Sequence, residues 1–155
     1  LAAHAPERIR SIVVANSGAT LGSQQFWDDR IALARAQGMA AMADRAVGAW
    51  FSPAFCERDP DTVHDYKAML QACSVDGYVA ACEVLRNTDL TGELARIPCP
   101  ALMIAGTVDI AAPLAGMEYL RDRIAGAQFV ALDAAHLSNV EQADAFTDAV
   151  LNFLR

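Results

Sequence analysis

A chain of 155 residues that is 54% apolar and carries a formal charge of −7 has ample nonpolar side chain for a buried core and too little positive charge to favour nucleic acid as a partner. It contains no apolar run of membrane-spanning length and no charged N-terminal segment leading into an apolar one, so neither a membrane span nor a signal peptide is indicated, and a cytoplasmic location is expected. The four cysteines, Cys56, Cys73, Cys82 and Cys99, form no C-x-x-C pair and fit free, mostly buried thiols better than a disulfide framework or a zinc site.

The chain opens in mid-pattern. Leu1-Ala2-Ala3-His4 reads as the last turn of a helix, followed by Pro6, so the sequence is expected to be a fragment or to have a processed N-terminus. Ile9 to Ala15 has the length and β-branched content of a strand, closed by the turn residues Asn16-Ser17-Gly18. Its near-continuous apolar run suits a parallel strand covered on both faces. From about Gln24 to Arg86 the apolar residues recur at helical spacing: Phe26, Ile31, Leu33 and Ala34, then Met39, Met42, Ala43, Ala46 and Val47. Gly38 and the Ser52-Pro53 step divide this region into short helices, and Pro60 with Thr62 opens another. Val63, Tyr66, Met69, Leu70 and Cys73 share a face there, and Tyr78 to Leu85 gives a further helix. This insert is too long for a connecting loop.

Ala101 to Gly106 is a second short buried strand. Pro113 starts a helix through Leu114, Met117, Leu120 and Ile124 that Gly126 stops. Gln128 to Leu132 is a third strand, and Ser138 with Glu141 reads as a capping box for a last helix bearing Val140, Phe146, Val150, Phe153 and Leu154. Strand, helical excursion, strand, helix, strand, helix is the pattern of an α/β parallel sheet.

Ligands of open parallel sheets bind at the carboxyl ends of the strands. Asp109 follows the second strand and His136 the third, so if these strands are neighbours the carboxylate accepts a hydrogen bond from the imidazole. That bond fixes the tautomer and leaves the other ring nitrogen free as a general base. Each residue also has a plainer reading, Asp109 as a loop or capping residue and His136 as a helix-entry histidine. His4 and His64 have no such setting and read as structural or solvated. A nucleophile is missing: Ser11, Ser17, Ser23, Ser52, Ser74 and Ser138 all lack the G-x-S-x-G frame of a strand-to-helix elbow, and no cysteine lies in one.

The residues resemble those of α/β-hydrolases. Leu1 to Val14 is similar to the helix and strand that follow the nucleophile elbow in that fold, Gly106-Thr107-Val108-Asp109 with Pro113 to its acid loop, and His136 to its histidine. More narrowly, the stretches from Ala135 to Gln142, Gly38 to Phe55 and Gly77 to Cys82 are similar to 3-oxoadipate enol-lactonases. The resemblance implies the C-terminal part of an α/β-hydrolase fold, with about three parallel strands and flanking helices. Residues 1–23 and 87–155 would form an incomplete core and 24–86 a helical lid. It further implies hydrolysis of a small carboxylated enol-lactone by a Ser-His-Asp mechanism, with Asp109 and His136 as two of the three and the serine upstream, so that this chain alone would be inactive. No metal or organic cofactor is implied.

Trp27 and Trp50 are candidates for the pocket wall, although packing between lid helices explains either as well. Arg58, Lys67 and Arg86 could meet a substrate carboxylate, with solvated surface as the plainer reading. Two other functions stay open: another lid-bearing hydrolase such as an esterase, and a non-catalytic binding or assembly module lacking the nucleophile. The outer edge of strand 9–15 is expected to be exposed, inviting self-association or a complementing N-terminal half.

Overall fold

The computed structural model describes all residues, 1–155. They form two compact units: Leu1–Ala19 with Asp89–Arg155, and Thr20–Thr88.

The first unit is built on three parallel strands, β1 (Ile12–Ala15), β2 (Ala101–Gly106) and β3 (Gln128–Leu132), in the order β1-β2-β3. Every residue of β2 is buried because it is the central strand, with a neighbour on each side and a helix over each face. Alternation along it divides the core. Ala101, Met103 and Ala105 pack with Met117 and Leu120 of α5 (Leu114–Arg123), whereas Leu102 and Ile104 pack with Phe146, Val150 and Phe153 of the last helix. The expected strand at residues 9–15 pairs only from Ile12. Ile12 is in register with Ala101 and its N–H donates to the Pro100 carbonyl; Pro98 and Pro100 have no N–H with which to carry the ladder further back.

The second unit is all helical, made of α1 (Gln24–Trp50), α2 (Pro53–Arg58), α3 (Pro60–Gln71) and α4 (Val75–Arg86). Gly38, at φ 71°, breaks the long α1 into two helical halves, a left-handed backbone conformation that glycine takes without steric cost. Ser23, Ser52, Asp59 and Ser74 each accept a backbone N–H from the residue three on, capping the four helices in turn and satisfying donors with no partner inside the helix. Ile31, Ala34, Met39, Met42, Ala43 and Ala46 of α1 pack on Leu70 of α3 and on Val79 and Cys82 of α4.

The C-terminal helix differs from its sequence reading. It is two pieces, α6 (Ser138–Glu141) and α7 (Ala143–Leu154), hinged at Gln142. Neither Ser138 nor Glu141 caps a helix: both are buried, and both bond to groups outside α6. The serine-to-glutamate spacing of a capping box is present, but burial at the strand ends gave these polar atoms other partners to satisfy. Pro113 precedes α5 as its N-cap residue, and the helix ends at Arg123, so Ile124 and Gly126, at φ 72°, lie in the turn beyond it. No helix is long and apolar enough to cross a membrane.

Candidate active site

The carboxyl ends of the three strands converge, and each supplies one polar side chain. β1 delivers Asn16, the loop after β2 delivers Asp109, and the loop after β3 delivers His136. Nδ1 of His136 lies 2.9 Å from Oδ2 of Asp109. The Asp109 side chain is fully buried, while that of His136 keeps 25% of its exposure. A carboxylate accepts only, so Nδ1 carries the proton and donates, leaving Nε2 as the basic nitrogen. The acid–histidine pairing expected from the two strand ends is therefore formed, because β2 and β3 are hydrogen-bonded neighbours.

The rest of the site holds that pair still. Oδ1 of Asp109 accepts from the backbone N–H groups of Ala111 and Ala112 at 2.8 and 2.9 Å, and Oδ2 accepts from Nδ2 of Asn16 at 3.0 Å. Burial of Asp109 opposes its ionisation and is the largest single influence. The hydrogen bonds from His136, the Ala112 amide and Asn16, with the charge of the imidazole, together outweigh it and hold the carboxyl below its ordinary value.

The loop bearing His136 is fastened at both ends. Oε1 of buried Glu141 accepts from the Ala135 N–H at 3.0 Å, and the Gln142 side chain donates to the Asp133 carbonyl at 2.9 Å. Gly106, the last residue of β2, makes room for the loop: a Cβ there would lie 2.4 Å from the carbonyl oxygens of both Ala134 and Ala135.

Asn16, Gly106, Ser138 and Glu141 had no site role in the sequence reading. Asn16 was a turn residue, yet its backbone stands at φ 45°, the one non-glycine with positive φ. A polar residue ending a strand beside the two strand ends that carry Asp109 and His136 is the available signal.

No serine stands free beside His136 in a glycine-framed elbow. Ser23, Ser52 and Ser74 are helix caps, and buried Ser138 donates its hydroxyl to Oδ1 of Asn16. The other two histidines lie elsewhere, His4 paired with Glu93 at 2.9 Å and His64 exposed on α3. None of the four cysteines is in a disulfide; Cys82 and Cys99 are buried and Cys73 is exposed.

Within the second unit, Trp27 and Trp50 are half-buried against that unit's own core. Trp27 meets Phe26 edge-on at 5.0 Å and donates its indole N–H to the Leu21 carbonyl. The three cations considered for a substrate carboxylate are engaged: Lys67 with Asp44, Arg86 with Asp28, and Arg58 over the Phe55 ring at 4.9 Å. Arg30 donates from Nε and Nη2 to the Tyr78 hydroxyl and lies between 5.4 and 5.9 Å from the ring centres of Phe26, Trp27 and Tyr78.

Three parallel strands between helices, with a carboxylate and an imidazole bonded across successive strand ends, make this chain part of an α/β-hydrolase fold. No protein-family model matches it. In sequence it is 3-oxoadipate enol-lactonase-like: it is 39% identical over 150 residues to 3-oxoadipate enol-lactonase 2 of Acinetobacter baylyi, a match covering 97% of this chain and 56% of that protein. Among solved structures, an enol-lactonase from Burkholderia xenovorans matches with a TM-score of 0.97 at 40% identity, over 99% of this chain and 59% of its own. A hydrolase from Pseudomonas aeruginosa matches with a TM-score of 0.94 at 44% identity, over 99% of this chain and 58% of its own. The chain thus spans a little over half the length of the proteins it matches.

Proposed function

We propose that these residues supply the acid, the base and the lid of a hydrolase acting on a small carboxylated enol-lactone, 3-oxoadipate enol-lactone, and that a serine outside these 155 residues supplies the nucleophile. The observation that carries the reading is the bond from His136 Nδ1 to the buried Asp109 carboxylate, which leaves Nε2 unencumbered. Similarity to enol-lactonases supports the substrate class.

In this reading Nε2 takes the proton of the serine hydroxyl as its oxygen attacks the lactone carbonyl. The ring C–O bond then breaks, the departing enol oxygen receives that proton, and the enol tautomerises to the ketone. A water deprotonated by Nε2 next attacks the acyl carbon, releasing the carboxylic acid and restoring the serine. Asp109 stays ionised throughout and stabilises the imidazolium. Trp27 and Trp50 are the aromatic residues proposed to contact the substrate.

The chain alone is inactive in this account, since a triad without its nucleophile keeps little beyond binding. The test is hydrolysis of the enol-lactone and of p-nitrophenyl esters by the purified chain. No turnover is expected, and turnover abolished by His136→Ala would overturn the external-nucleophile part. The engaged state of four of the six serines favours, as a second reading, a non-catalytic module. An intact G-x-S-x-G in the coding sequence upstream of Leu1 would exclude that reading, and enol-lactone against simple-ester rates of the longer protein would separate a lactonase from an esterase.

A further inference from the structure

We infer that Asn16 is a positioning residue of the Asp109–His136 pair, its carboxamide filling the last acceptor site of the carboxylate and so holding it in one rotamer and one charge state. The inference rests on the reading of Asp109 and His136 as acid and base, and it adds a third strand end to their machinery.

The argument is a count of hydrogen bonds. A carboxylate offers about four acceptor sites. Oδ1 of Asp109 uses two, on the Ala111 and Ala112 amides; Oδ2 uses two, on His136 Nδ1 and Asn16 Nδ2. Without Asn16, Oδ2 would keep the imidazole alone, and burial excludes water as a ready replacement.

The amide is itself oriented. Nδ2 faces two acceptors, Asp109 Oδ2 and the Ala135 carbonyl at 3.1 Å, while Oδ1 receives the Ser138 hydroxyl. Turned over, it would set its oxygen against a carboxylate and a carbonyl, so a single orientation satisfies all three partners. One carboxamide thereby ties β1 to the loops after β2 and β3. It does so from a backbone at φ 45°, a conformation asparagine tolerates better than most residues. The other ionisable groups on these loops are engaged separately: Glu141 holds the Ala135 amide, and exposed Asp133 receives the Thr107 hydroxyl at 3.5 Å.

Two variants of the 155-residue chain test this by NMR. Asn16→Gly suits the backbone and deletes the amide, and Asn16→Asp keeps shape and backbone tolerance while replacing the donor by a second carboxylate. In Asn16→Gly the carboxyl carbon of Asp109 is expected to titrate about half a pH unit or more above its position in the parent. The ring nitrogens of His136 are expected to report a mixed tautomer in place of the single Nδ1–H form. In Asn16→Asp the two carboxyls share a proton, and one titrates above about pH 5.

An Asp109 titration and a His136 tautomer unchanged in Asn16→Gly, or two ordinary independent carboxyls in Asn16→Asp, would overturn the inference. If Asn16→Gly does not fold, the Asn16→Asp titration decides alone. Neither readout needs turnover, so the inference stands or falls apart from the enol-lactone reading.

Discussion

His136 donates from Nδ1 to Oδ2 of Asp109 at 2.9 Å across 27 residues of chain. The carboxylate is wholly enclosed and the imidazole partly open. That asymmetry suits an orienting acid and a working base: the acid is enclosed away from water and kept ionised by its hydrogen bonds, and the base can reach a reactant.

In any protein that joins these residues to the proposed serine, replacing the proposed base is expected to remove most of the rate. His136→Ala should lower kcat by about 10⁴-fold or more, and Asp109→Asn by on the order of 10³–10⁴-fold, because the neutral amide no longer favours the Nδ1–H tautomer or the imidazolium. KM should change little. Steady-state hydrolysis of the enol-lactone checks both values, and full activity in either variant would remove that residue from the mechanism.

Asp109 also links folding to pH. Its carboxyl is held below its ordinary value in the folded chain, so between that position and the unfolded value of about 3.9 the unfolded state binds more protons. The stabilisation is complete above about pH 4 and is lost as pH falls through the folded-state value. Urea unfolding measured from pH 6 downward should therefore show stability dropping more steeply below pH 4 in the parent than in Asp109→Asn. Parallel curves would contradict this.

Gly106→Ala should damage fold and site together. The new methyl group would meet two backbone carbonyls at 2.4 Å, and backbone cannot swing aside as a flexible side chain can. A cost of about 2–4 kcal/mol is expected, or roughly 5–15 °C in Tm for a chain of this size. Thermal unfolding followed by circular dichroism measures it, and a loss under about 2 °C would show that the histidine loop is softer than its packing implies.

β1 pairs only with β2, so its other side presents unpaired backbone groups, with Val13 37% exposed. Such an edge is a template for another strand. The isolated 155-residue chain is expected to self-associate, and light scattering that finds a monodisperse monomer at high concentration would count against this.

Much of this architecture was legible because it rests on local chemistry. Strands 101–106 and 128–132 fall at their expected bounds, each a short, mostly apolar run followed by a polar residue, Thr107 or Asp133. Gly38 and the Ser52-Pro53 step break the helices of the second unit where backbone preference says they must. Asp109 and His136 were recognisable because parallel strands turn their carboxyl ends to one side.

What local pattern could not reveal was the choice of partner. Ser138 and Glu141 have the spacing of a cap, but their oxygens went to Asn16 and Ala135. Asn16 looks like any turn asparagine until folding brings Asp109, 93 positions further along the chain, to it. Sequence by itself determined most of the elements, their order and the two chemically distinctive strand ends, because backbone preference and apolar periodicity act over a few residues. Only the tertiary structure decided which buried donor meets which acceptor, because that pairing depends on groups far apart in the chain being enclosed together without water.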